Sequence, residues 1–173
     1  ANIVRDANSA KRNLNIFVLS EDHNGDLMPA TSTLKNNIKT WLSNYKMIND
    51  TMDILDGKIV NIGIEFVAVS DVHTNKFDLL NLAKINLIND LADIKYDLGE
   101  PFRISDVFRS LKNTEGILDV TKVKIFKRKG NIYSSFFYNI EENTTPDNRL
   151  IKIPEYAAFE IRYPNSDIIG TII

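Results

Sequence analysis

Residues 31–69, TSTLKNNIKTWLSNYKMINDTMDILDGKIVNIGIEFVAV, decide the fold. Thr31, Ser32 and Thr33 offer hydroxyls for an N-cap. Leu34, Ile38, Trp41, Leu42 and Tyr45 then recur at spacings of three and four, which predicts one apolar helical face. Lys35, Asn36, Lys39 and Asn44 make the wet face opposite. The period then changes to two. Residues 52–55 and 58–70 are predicted strands, with a bulge or turn at Asp56-Gly57. In the second strand Val60, Ile62, Ile64, Phe66 and Ala68 are uniformly apolar and should face the core. Ile59, Asn61, Gly63, Glu65, Val67 and Val69 form a mixed, half-solvated face. The stretch sets no nucleophile beside a base and gathers no metal ligands; its polar residues go to caps, turns and solvated faces.

Towards the N-terminus, residues 14–20 (LNIFVLS) are a strand candidate, and Asn24-Gly25-Asp26 a turn. Residues 1–13 are polar and expected to be an irregular linker from an upstream region; the chain opens on Ala1 and is expected to be a piece of a longer protein. Towards the C-terminus, Asn75 should cap the longest helix, residues 76–96. Its main stripe is Phe77, Leu80, Ala83 or Lys84, Leu87, Leu91 and Ile94, widened by Ile88. Leu79, Leu82 and Ile85 lead a second stripe that continues in Asn86 and Asn89. The helix thus carries more apolar surface than one sheet face needs. Either a third element of the same domain or a partner subunit should cover the surplus.

Gly99-Glu100-Pro101 ends that helix, and Ser105 should cap a short one containing Val107, Phe108 and Leu111. A strand at residues 117–127, a hairpin at Lys129-Gly130-Asn131 and a strand at 132–140 follow. After a polar loop (141–150), extended pieces are expected at 151–153, 157–162 and 168–173. This order predicts an α+β fold: a mainly antiparallel sheet with helices packed on one face, of split βαβ (ferredoxin-like) character, plus a hairpin and an extended C-terminal tail. Residues 14–140 form the core domain, and 141–173 a loop and tail packing on that core or on a neighbour.

A chain of 173 residues can bury one core without staples. Its net charge of −2, from 21 basic and 23 acidic residues, argues against a general nucleic-acid binder. The absence of cysteine excludes a disulfide framework, a thiolate nucleophile and Cys-type zinc sites; it fits an intracellular or virion protein. No apolar run approaches the roughly 20 residues of a membrane span.

Candidate chemistry is sparse. Glu21, Asp22, His23 and Asp26 cluster, but without the alternating carboxylates of a hard-cation loop. Asp71 and His73 precede the long helix with no nucleophile in a motif context; an enzyme would need at least a cleft gathering them with Glu65. Neither Gly-rich phosphate motif occurs among the seven glycines. Lys122, Lys124, Lys127, Arg128 and Lys129 lie near Phe126, Tyr133, Phe136, Phe137 and Tyr138. That pattern is found in base-stacking sheets, although such aromatics more often pair across strands within a core. No catalytic residue, cofactor or metal ligand is assigned.

Several segments resemble, in order and spacing, the C-terminal region of the baseplate wedge proteins of T-even-like contractile-tailed bacteriophages, in the broad baseplate J-like family. They are residues 34–37 (LKNN) to 45–50 (YKMIND), 60–66 (VNIGIEF), 99–105 (GEPFRIS), 116–120 (GILDV) and 159–168 (FEIRYPNSDI). The resemblance implies a structural virion protein without catalysis, assembled in the host cytoplasm into the tail baseplate. It implies partners among other wedge subunits and a second copy of the chain, paired through this region. Such copies build an inner ring that helps transmit the contraction signal. The apolar positions expected at such an interface are Leu79, Leu82 and Ile85 on the long helix, with Ile168, Ile169, Ile172 and Ile173 in the tail. The alternative is a ferredoxin-like regulatory module binding a small ligand between helix and sheet.

Overall fold

At Gly57 the chain leaves one sheet and enters another. A computed structural model describes residues 1–5, 12–45, 50–71, 74–92 and 96–173. Strand β4 (Asp50–Asp56) runs parallel to β2 (Arg12–Glu21), with Asp56 opposite Val18. Gly57 N–H then donates to Val18 O at 3.0 Å, and Lys58 N–H donates to Tyr156 O at 2.8 Å, in the next sheet. A Cβ at Gly57 would lie 2.7 Å from Leu19 Cγ and 3.0 Å from Leu98 Cδ2. The crossing point is therefore packed from both sides, and only glycine lets the chain through.

The N-terminal sheet is built on β2. β1 (Asn2–Arg5) and β3 (Leu27–Pro29) pair antiparallel with it, and β4 pairs parallel. Helix α1 (Ser32–Ser43) is capped by Thr31, whose hydroxyl accepts from Leu34 N–H. Its Ile38 and Leu42 pack with Met52 and Ile54 on a small core of Ile16, Val18 and Ala30. No residue of α1 is fully buried, and Trp41 and Tyr45 stack on each other at 4.7 Å in solvent.

The second sheet is centred on β5 (Lys58–Ser70). β7 (Ile117–Lys127) runs antiparallel along one edge. The other edge is shared end to end by two parallel strands, β9 (Ala157–Glu160) beside Lys58–Asn61 and β10 (Ile168–Ile172) beside Ile64–Ala68. Helices α2 (Lys76–Ala92) and α3 (Ile104–Lys112) cover one face. The alternation in β5 explains why: Val60, Ile62, Ile64, Phe66 and Ala68 are fully buried there. The short strands β6 (Phe102–Arg103) and β8 (Leu150–Ile151) pair beside this core, and α4 (Ile140–Asn143) and α5 (Pro164–Asp167) are single turns. The architecture is α+β with mixed sheets in which antiparallel pairings are the more numerous.

Four expectations change. Residues 2–5, expected to be irregular, form β1; residues 6–11 lie outside the described set. The hairpin after β7 is replaced by a turn, with Gly130 at φ +143°, and an irregular segment to residue 139. Side chains rather than a ladder anchor that segment: Ser134 N–H donates to Asn61 Oδ1 at 2.7 Å, and the Tyr138 ring meets Phe159 edge-on at 6.0 Å. Helix α3 begins at Ile104, so Ser105 lies inside it rather than capping it. On α2 the buried stripe is Leu79, Ala83, Leu87 and Leu91, while Phe77 points to water at 80 % exposure. Ile94, and any helical turn at 93–95, lie outside the described residues. The tail joins its own sheet, with Ile151, Ala157, Phe159 and Ile168 inside the main core.

Candidate functional site

The interface candidates separate cleanly. Leu79 and Ile168 are buried within the chain and have no surface to offer a partner. The physical reason for Leu79 is rotational: the helix turns its i, i+4 row from Leu79 to Leu91 inward, so that residue joins the core face. Ile168 faces the core because its register partner is Ile64, a fully buried residue. Ile172 is half-buried against the same core. Leu82, Ile85 (55 % exposed), Ile169 (47 % exposed) and Ile173 do reach solvent, joined by Phe77 and Leu118, which were not singled out as interface residues. Phe77, Leu82 and Ile85 are on α2, Ile169 is on β10 with Ile173 just beyond it, and Leu118 is on β7 at the other edge of the sheet.

Two buried polar centres hold the second face of the main sheet, and sequence periodicity pointed to neither. In the first, Asn61 is fully buried. Its Nδ2 donates to Glu160 Oε2 at 2.5 Å, its Oδ1 accepts from Ser134 N–H, and Glu160 Oε1 accepts from Leu27 N–H at 2.5 Å. One carboxylate thus ties β9, β5 and the N-terminal sheet together. Burial pushes the Glu160 carboxyl above its ordinary range, with Asp26 adding to the push; the two donors and the charge of Arg162 oppose it. In the second, Asp167 is wholly buried and accepts from Arg128 Nε at 2.7 Å, Tyr133 Oη at 2.7 Å and Tyr163 N–H at 3.0 Å. The pair with Asp167 and the Tyr133 hydroxyl holds Arg128 firmly protonated in spite of partial burial. Gly63 lies between the two centres, where a Cβ would come within 2.6 Å of Phe126 Cζ.

A cavity of about 660 Å³ opens beside the first centre, between the β2–β3 turn, α2 and β9. Leu19, Leu27, Ile88, Leu91 and Ile161 give it apolar walls, and Glu160, Arg162 and Tyr96 polar ones. Among the described residues Tyr96 Oη and Arg162 Nε find no hydrogen-bond partner. Burial holds the Tyr96 hydroxyl protonated far above the usual range.

The remaining candidates are spent on structure. Asp22 Oδ1 accepts from the N–H groups of Asn24 (2.8 Å) and Asp26 (3.0 Å), closing the turn in which Gly25 takes φ +86°. These backbone bonds lower its pKa. Among the described residues no group of three or more His, Asp or Glu is placed to hold a metal ion. Glu65 is half-buried and stands opposite Lys124 in the β5–β7 register. Asp71 is exposed, and His73 lies outside the described residues. In the basic run, Lys127 donates to Phe136 O and Arg128 is committed to Asp167, while Tyr138 is in the core. Arg128 also lies over the Phe126 and Tyr133 rings, at 5.7 and 5.4 Å, so these rings and the guanidinium are paired within the chain. No described helix is long and apolar enough to cross a membrane. Neither a protein-family model nor a curated protein sequence matches this chain.

Proposed function

We propose that this chain is a non-enzymatic assembly module, the C-terminal α+β domain of a contractile-tail baseplate wedge protein of the baseplate J-like family. In that role it sits in the virion tail baseplate, is assembled in the host cytoplasm, pairs with a second copy and touches other wedge subunits. Through the inner ring it would help carry the contraction signal. Its helix-covered sheet would have split βαβ, ferredoxin-like character. The observation that carries the proposal is the set of large apolar side chains left in water on α2 and β10: Phe77, Leu82, Ile85, Ile169 and Ile173. Contiguous exposed apolar surface marks protein contacts, and the resemblance of the ordered segments to wedge proteins supports this class of assembly. Light scattering of the 19.7 kDa chain at high micromolar concentration tests it. A mass above the monomer is expected; a strict monomer overturns self-association.

The cavity beside Glu160 favours a second function, binding of a small amphipathic ligand, since its volume of about 660 Å³ falls within the ligand-site range. A concentration-dependent rise in melting temperature with a panel of small amines and amino acids, abolished by Arg162→Gln, would support that function over assembly.

A further inference from the structure

We infer that β10 is a self-pairing edge: two copies join β10 to β10 antiparallel about a two-fold axis at Gly170, making one continuous sheet through both molecules. This rests on the self-association proposed above and names the surface that carries it. The two outer edges of the main sheet differ in charge. β7 ends the sheet with Asp119, Lys122, Lys124 and Lys127, and charged side chains are how sheet edges are guarded against pairing. A two-fold axis on β7 would also bring Lys122 and Lys124 close to their own copies, and like charges across a ladder repel. Residues 168–173 (IIGTII) carry no charge at all. A two-fold axis sets residues equally spaced from it against one another; on β7 an axis at Val123 sets Lys122 against Lys124, whereas the uncharged edge has no like charges to oppose in any register.

The backbone is already set for it. Ile173 N–H donates to Ala68 O at 2.9 Å and its carbonyl accepts from Ser70 N–H at 3.0 Å, so the odd-numbered residues of β10 face β5. Ile168 N–H is taken by Pro164 O. The N–H and C=O groups of Gly170 and Ile172, with Ile168 O, point away from β5, and no described strand pairs with them. Centring on Gly170 makes it a reciprocal hydrogen-bonded pair, with Ile172 N–H donating to Ile168 O of the other copy. Ile169 then stands opposite Thr171 across the junction.

Cover for the junction comes from α2. Leu80 lies over Gly170, and Asn86 Nδ2 reaches Thr114 Oγ1 at 3.3 Å on the α3 side. At 3.6 residues per turn, Phe77 and Ile88 fall on the opposite flank, above the open edge. Lys84 lies between them on a stem long enough to reach water. The exposed Phe77 would be covered by the second copy.

Charge placed on the outward-facing Ile169 and Thr171 tests the register without touching the β5 ladder. Ile169→Lys with Thr171→Lys sets lysine opposite lysine twice and should raise the dimer dissociation constant at least tenfold. Ile169→Glu with Thr171→Lys sets Glu opposite Lys twice and should keep the dimer. Circular dichroism confirms that each variant is folded. If wild type dimerises and the Lys/Lys variant dimerises equally well, while Leu82→Lys with Ile85→Lys dissociates it, β10 pairing is wrong and self-association stands. Equal weakening by the Lys/Lys and Glu/Lys variants overturns the register. A monomeric wild type removes both.

Discussion

The two sheets of this chain are built to different standards. Around β5, twenty residues from six strands, three helices and the irregular segment at Tyr138 are buried in one cluster, whereas the described N-terminal sheet closes over only Ile16, Val18 and Ala30. Both sheets meet a helix with an apolar stripe, so patterning alone does not separate them. What differs is the number of layers: α2, α3 and the tail strands surround β5, while α1 lies on the N-terminal sheet with Trp41 and Tyr45 left outside. Local opening should therefore begin in β1–β4, where few apolar contacts are lost.

The sharpest way to break this contrast is a matched pair of core truncations. Phe66→Ala should cost about 3–5 kcal/mol, the range for a buried phenylalanine. Ile16→Ala should fall near the lower end for its type, about 2 kcal/mol, because the thinner layer can close around the gap. Urea unfolding measures both, and equal losses would mean that the N-terminal sheet is as tightly held as the main one. Hydrogen exchange should likewise show β5 amides opening only with global unfolding.

Next in size is Arg128→Ala. It leaves Asp167 buried without its cation, and removing one partner of a buried pair costs about 3 kcal/mol or more. The loss should appear mainly as faster unfolding of the 128–139 segment, read by proteolysis. If Asp167→Asn, which keeps the shape and removes the charge, proves nearly neutral, shape rather than charge is what that site requires.

The smallest expected effect links the two sheets through pH. Glu160 has a folded pKa raised above its usual 4.5, chiefly by burial. A raised acid contributes stability that is fully present below the unfolded pKa and is lost as pH rises through the folded value. From about pH 4.5 upward, wild type should therefore lose stability relative to Glu160→Gln, whose neutral amide does not titrate. Parallel urea midpoints for the two proteins across that window would show that Glu160 titrates as it does in the unfolded chain.

Much of the main sheet was legible in the sequence because one period governed it. The core face of β5, from Val60 to Ala68, alternates without interruption, and the uncharged tail was marked as extended. The second face of β5 was misjudged for a definite reason. Asn61 and Gly63 look like solvent-facing residues, yet Phe126 and the 130–137 segment close over them, and Asn61 becomes the acceptor for Ser134. The supposed hairpin failed on the same interaction, since the Ser134 N–H given to Asn61 Oδ1 at 2.7 Å is not available to a ladder. Nor could the partners of Glu160 and Asp167 be read from spacing. Glu160 bonds to Leu27, more than a hundred positions away. On α2, Leu79 and Phe77 exchanged roles because an apolar sector wider than its footprint leaves the rotation of a helix to its neighbours.

The crossing at Gly57 has a mechanical consequence. Its own N–H is tied to Val18 and that of Lys58 to Tyr156, so the tether between the two sheets contains no slack residue. Leu19 and Leu98 fill the space a Cβ would need, which closes off a loose swivel at that point. A pull on β2 or β4 is therefore passed directly into the central strand of the main sheet. The small sheet can work as a handle on the large one, and any tilt imposed on it must either shear the β2–β4 ladder or move β5.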